Sequence, residues 1–187
     1  MPEMRAIVQR NLVRVAIVVA AIAIGWIAVE YLVPSSSSTN AGGPSGAVGQ
    51  LAPVFDLRDD DGHASSLDRY RGSIVVMNLW ASWCPPCRAE MPDLQRLTEA
   101  YGRRGVAVIG VNEGESPQRA REFAGALGIR FPIWIDASQR YGRVYSALGL
   151  PTTVIIDRRG VVRHGFDGPL TFDEMRAAVT PMLDAPS

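Results

Sequence analysis

A seven-residue run broken only by Asn78, Ile74-Val75-Val76-Met77-Asn78-Leu79-Trp80, leads through Ala81-Ser82-Trp83 into Cys84-Pro85-Pro86-Cys87, which holds the only two cysteines of the 187-residue chain. No other stretch limits the fold as much. The run reads as a buried strand, and the two prolines fall where a helix begins, because first-turn N–H groups have no intrahelical partners to lose. Cys84 then stands at the helix N-terminus, where free N–H groups and the positive end of the macrodipole favour a thiolate. That makes Cys84 the expected nucleophile. Cys87, one turn inside the helix and more buried, is the expected resolving thiol.

Two thiols at this spacing close and reopen a small disulfide ring without unfolding the chain, so redox chemistry is the first expectation. A zinc site needs about four protein ligands, and only His63 and His164 are available, both distant in sequence. A purely structural bridge would close too short a loop to restrict the unfolded chain much. The balance of 19 basic and 19 acidic residues argues against a nucleic-acid partner.

Trp83-Cys84-Pro85-Pro86-Cys87 after a hydrophobic strand, Pro92 beyond it, and Leu150-Pro151-Thr152-Thr153 downstream together resemble the TlpA/ResA-like extracytoplasmic branch of the thioredoxin superfamily. The similarity runs from about Gln50 to the C-terminus. It implies an α/β thioredoxin-like fold, a central mixed sheet flanked by helices, with an N-terminal β-hairpin extension and no cofactor beyond a Cys84–Cys87 disulfide.

The N-terminal segment has its own logic. Val15 to Val29 holds no charge, and with Glu30 drawn toward a headgroup region the apolar stretch reaches Val33, roughly 28 Å as a helix. Residues 15–33 are therefore expected to form a single-pass transmembrane anchor. Arg5, Arg10 and Arg14 keep residues 1–14 in the cytoplasm and send the remainder outside. A cleaved signal peptide is the rival, but the bulky Glu30-Tyr31-Leu32-Val33-Pro34 offers no small-residue cleavage site. Residues 34–50, rich in Ser, Gly, Asn and Pro, read as a flexible linker with a reach of roughly 20–25 Å. Residues 51–187 make up the expected catalytic domain.

Within it, Ala52–Leu57 reads as an edge strand, turned by Asp59-Asp60-Asp61-Gly62 into a hairpin with His63–Leu67. A solvated turn is favoured over a calcium loop because the ligand order and distant glutamate of an EF-hand are missing. The active-site helix should run from Pro85 to about Arg103, kinked at Pro92. Val106–Asn112, Phe131–Asp136, Thr152–Asp157 and Val161–His164 read as strands, and Pro117–Leu127 and Gln139–Leu148 as helices. Helix Thr171–Leu183 opens with a capping box between Thr171 and Glu174.

The resemblance implies that Pro151 follows a cis peptide bond and faces the disulfide. Leu150 would then present its backbone to an extended substrate. Trp83 and Pro85 complete the expected substrate contacts, and Trp80 reads as core. Where thioredoxins carry a buried aspartate this chain has Asn78, which cannot titrate. Glu90, on the face of Cys87, is expected to replace it as the catalytic acid, as in TlpA/ResA-like proteins. A buried carboxylate disfavours a nearby thiolate, and Pro85 and Pro86 withhold two N–H groups from the Cys84 sulfur. Both effects make the couple reducing.

These residues point to an extracytoplasmic thiol:disulfide oxidoreductase acting as a reductant of protein disulfides. The resemblance implies apocytochrome c as a substrate and a membrane electron donor of the DsbD/CcdA type. An oxidant of folding proteins, a peroxiredoxin-like thiol peroxidase and a copper-delivery protein are the alternatives. His63 and His164 are given no role.

Overall fold

A computed structural model describes residues 47–184. The expected cytoplasmic segment and membrane anchor, and all of the linker before residue 47, lie outside the described residues. Among the described residues no helix is long and apolar enough to cross a membrane.

Seven strands form one mixed sheet: β1 (Leu57–Asp59), β2 (Ala64–Ser65), β3 (Ile74–Trp80), β4 (Val106–Glu113), β5 (Ile133–Asp136), β6 (Thr152–Ile156) and β7 (Val162–Asp167), in the order β2-β1-β5-β4-β3-β6-β7. The central strand β3 is buried along its whole length, pairs parallel with β4 and antiparallel with β6. A strand covered on both faces reads as a continuous apolar run, which is why it was visible in the sequence.

Alternate residues of β3 feed two cores. Ile74, Val76 and Trp80 face helices α1 (Pro85–Tyr101), α2 (Pro117–Ala126) and α4 (Phe172–Leu183), whose Met91, Ala120 and Met175 join that cluster. Val75, Met77 and Leu79 face the short helix α3 (Arg140–Val144), through Tyr141, and the N-terminal segment, through Ala52 and Leu57. Gly110 of β4 lies under Trp80: a Cβ there would come within 2.9 Å of the indole nitrogen, so only glycine leaves room for the ring.

Several expected boundaries shift. Ala52–Leu57 is not an edge strand: Leu51 bridges Val161, the Ala52 N–H donates to the Gly160 carbonyl, and pairing to β2 begins only at Leu57. The chain thus enters beside β7 and crosses the second core before reaching the hairpin, which docks onto β5 through Arg58 and Asp59. At the linker's end, the Gly49 N–H already donates to the Val162 carbonyl. Helix α3 ends at Val144 instead of Leu148, as Ser146 takes a left-handed φ of 51° that no α-helix accommodates. Helix α1 continues through Pro92, which removes the N–H that would have bonded the Arg88 carbonyl. The capping box on α4 is present: the Glu174 N–H donates to Thr171 Oγ1 and the Thr171 N–H to Glu174 Oε2.

Candidate active site

The two sulfurs sit where β3 hands over to α1. Cys84 is the N-cap of α1, with Pro85 and Pro86 in its first turn, and is disulfide-bonded to Cys87 across a Cα–Cα distance of 5.3 Å. The Cys87 N–H donates to Cys84 Sγ at 3.2 Å, the cap expected once the prolines have withdrawn their own N–H groups. A difference in burial was expected between the thiols. Instead Cys84 and Cys87 are 2% and 1% exposed, because the closed ring draws both sulfurs onto the first core.

Glu90 lies three residues beyond Cys87, on the same face of α1. Its carboxyl is buried, and Oε2 accepts from Asn78 Nδ2 at 3.0 Å while Oε1 accepts from the Leu170 N–H at 3.0 Å. Asn78 also donates to Thr153 Oγ1, so the expected replacement acid is tied to the residue standing where thioredoxins place their aspartate. Desolvation pushes the Glu90 carboxyl up to about 7, against the lowering effect of those two hydrogen bonds. An acid in that range exchanges protons at neutral pH.

The Leu150–Pro151 peptide is cis, and Pro151 is buried. Register brings this turn to the dithiol: Thr152 pairs with Leu79, so Pro151 stands at the end of β3 that leads to Cys84. The Pro151 carbonyl accepts from the Gly168 N–H, whereas the Leu150 backbone makes no backbone hydrogen bond among the described residues. Trp83 is 64% exposed and Pro85 is exposed, while Trp80 is fully buried, as the sequence indicated.

Sequence reasoning missed a second carboxylate beside the reactive turn. Glu115, in the β4–α2 connection, accepts at Oε2 from the Ser82 N–H and from Asn112 Nδ2, both at 2.7 Å. Its Oε1 accepts from Ser82 Oγ at 2.6 Å and from Arg119 Nε at 3.1 Å. Burial acts to raise this carboxyl, but the hydrogen bonds from Asn112, Ser82 and Arg119 outweigh it and hold it below the ordinary glutamate range. Glu113, on the opposite face of β4, was also missed. It is buried, its Oε1 has no partner, and desolvation followed by the charge of Asp136 raises it to about 7.

The histidines lie elsewhere: His63 Nδ1 is 3.3 Å from Asp59 Oδ2, and His164 stacks on Phe166. Among the described residues no three His, Cys, Asp or Glu side chains group to hold a metal ion.

Comparison with known proteins gives a consistent picture. The AhpC/TSA family profile matches residues 48–165. The chain is 36% identical over 167 residues to the thiol-disulfide oxidoreductase ResA of Geobacillus kaustophilus, covering 89% of this chain and 92% of that protein. It is 38% identical over 130 residues to the thioredoxin-like protein YneN of Bacillus subtilis, covering 68% and 75% respectively. A solved structure from Chlorobium tepidum, described as a thiol:disulfide interchange protein DsbE, superposes with a TM-score of 0.68 at 30% identity, over 73% of this chain and 97% of that one.

Proposed function

We propose that this chain, which belongs to the AhpC/TSA family and is a thiol-disulfide oxidoreductase of the ResA and DsbE type, works outside the cytoplasm as a reductant of protein disulfides. The observation that carries the direction is Glu90, a buried carboxyl near neutrality one helical turn from Cys87. Its charge, once ionised, opposes a thiolate, and Pro85 and Pro86 leave the Cys87 N–H as the amide held by Cys84 Sγ. A poorly stabilised thiolate makes the reduced pair a willing electron donor.

In the reaction, the Cys84 thiolate attacks one sulfur of the substrate disulfide, forming a mixed disulfide and releasing the other sulfur as a thiolate. Glu90 takes the Cys87 proton. The Cys87 thiolate then attacks Cys84 Sγ, the mixed disulfide breaks, and the second substrate sulfur leaves as a thiolate, which takes up the proton held by Glu90. Two electrons have passed to the substrate, and Cys84–Cys87 is left as the disulfide. The exposed Trp83 and Pro85 and the cis turn at Leu150–Pro151 form the surface against which an extended substrate docks.

The charge-free stretch from Val15 to Val29, preceded by three arginines, supports a retained membrane anchor, with residues 34–46 as tether, because Gly49 and Gln50 are already bonded to Val162. Cys-x-x-Cys-His segments of apocytochrome c are the proposed substrates, and a membrane protein of the DsbD/CcdA type the proposed electron donor. A Cys87→Ser variant should accumulate disulfide-linked partners through Cys84, and the parent should reduce insulin. If no partner is captured and insulin stays oxidised, the reading is wrong; recovery of the protein in the soluble fraction after cell lysis would remove the anchor from it.

A further inference from the structure

We propose that Glu115 is a positioning residue for the dithiol reaction: its carboxylate grips Ser82 by backbone and side chain and so fixes the turn that carries Cys84 and displays Trp83. The proposal rests on the reading of Cys84 as nucleophile given above.

The geometry is specific. Ser82 is buried and stands two residues before Cys84, within a turn closed by the Cys84 N–H donating to the Ala81 carbonyl at 3.2 Å. Both Ser82 donors go to Glu115, one to each oxygen. Arg119 Nε donates to both Ser82 Oγ and Glu115 Oε1, closing a three-residue ring, and Asn112 fills the remaining acceptor position. The four residues of the cluster come from four places: the β3–α1 turn, the last part of β4, the β4–α2 connection and α2 itself.

A carboxylate with four donors in place is a fixed anion that has no proton to exchange, so its effect on catalysis is mechanical. The turn between Trp80 and Cys84 has no regular pairing of its own, and Trp83 is largely exposed. Ala81 and Cys84 pack on the first core, and Cys84 is tied forward to α1, so the side-chain hydrogen bonds that reach the turn from β4 and α2 are those gripping Ser82. Holding a nucleophile and its docking side chain in one arrangement lowers the entropy that must be lost on reaching the transition state.

The test uses the full chain. Glu115→Gln is expected to lower kcat/KM for insulin reduction about tenfold, the rate equivalent of one charge-assisted hydrogen bond. Acrylamide quenching of Trp83, isolated by difference from Trp83→Phe, should increase, a change that plain loss of stability in an otherwise native turn would not produce. Ser82→Ala should give a smaller loss of about threefold, and the double variant should be no worse than Glu115→Gln alone, because both act on one contact. Should Glu115→Gln fail to fold, Ser82→Ala carries the same two readouts. Parent-like reduction and quenching in the variants, or strictly additive losses, would overturn the proposal. Failure of the parent itself to reduce insulin would instead strike the underlying reading, and the quenching result would still decide whether Glu115 positions the turn.

Discussion

The two glutamates proposed to serve the dithiol occupy opposite ends of carboxylate behaviour. Glu90, inside α1, has two hydrogen-bond donors and a carboxyl raised to about 7. Glu115, across the reactive turn, has four donors and a carboxyl held low. Glu90 is buried and Glu115 only half-buried, so desolvation weighs more heavily on Glu90. The number of donors acts in the same direction: each hydrogen bond to the charged form offsets part of the desolvation, and at Glu115 four of them outweigh it. An under-supplied acid can carry a proton, and a saturated one can only hold position. Glu113 sharpens the rule, since it too is under-supplied and raised to about 7, yet it lies on the sheet face away from the dithiol. A perturbed acid marks chemistry only where it meets a reacting group.

The largest test of that comparison is stability against pH. Glu90 and Glu113 are both raised from 4.5 to about 7 in the folded protein. Between those limits the native state keeps protons that the unfolded chain has released, so the contribution of these two groups to stability is fullest below about pH 4.5, falls as pH rises, and levels off above about 7. Glu113→Gln should recover about 2 kcal/mol at pH 8 relative to pH 5, less than the full shift at 1.36 kcal/mol per unit because pH 5 already lies above the ordinary value of 4.5. Urea unfolding at the two pH values checks this. An unchanged pH slope would mean that Glu113 is ionised and solvated in the native state.

Glu90→Gln sharpens the contrast next. In the reduced protein it should lower the pKa of Cys84 by about one unit, since removing a nearby anion favours the thiolate. Iodoacetamide alkylation rate against pH reads this directly, and Glu115→Gln should leave the pKa near its parent value while lowering turnover. If the two variants exchange these phenotypes, the roles assigned to the two acids are reversed. The smallest effect belongs to Pro86→Ala, which restores one N–H to the first turn of α1. A shift of Cys84 downward by a few tenths of a unit is expected by the same assay.

How much of this was legible in the sequence follows from the range of each contact. Cys84, Cys87 and Glu90 lie within one helix start, and their spacing alone puts them on one face. The capping box of Thr171 and Glu174 is equally local. Glu115 escaped notice because its key partner, Ser82, is 33 positions away, and nothing in the β4–α2 connection signals that they meet. Glu113 was hidden by ending the strand at Asn112, one residue too soon. The path of residues 49–52 beside β7 was invisible for the same reason, since Val161 and Val162 lie over a hundred residues downstream. The cis peptide before Pro151 came from family resemblance, because few X-Pro bonds in folded proteins are cis. His63, left without a partner in the sequence, finds Asp59 four residues back once the hairpin forms.

The midpoint potential of the Cys84/Cys87 pair at pH 7 measures the direction of electron flow most directly. A value near the thioredoxin end, about −270 mV, is the result expected from a thiolate opposed by Glu90 and deprived of two amides by Pro85 and Pro86. A value near the DsbA end, about −120 mV, would make the same dithiol an oxidant and contradict the role given to Glu90.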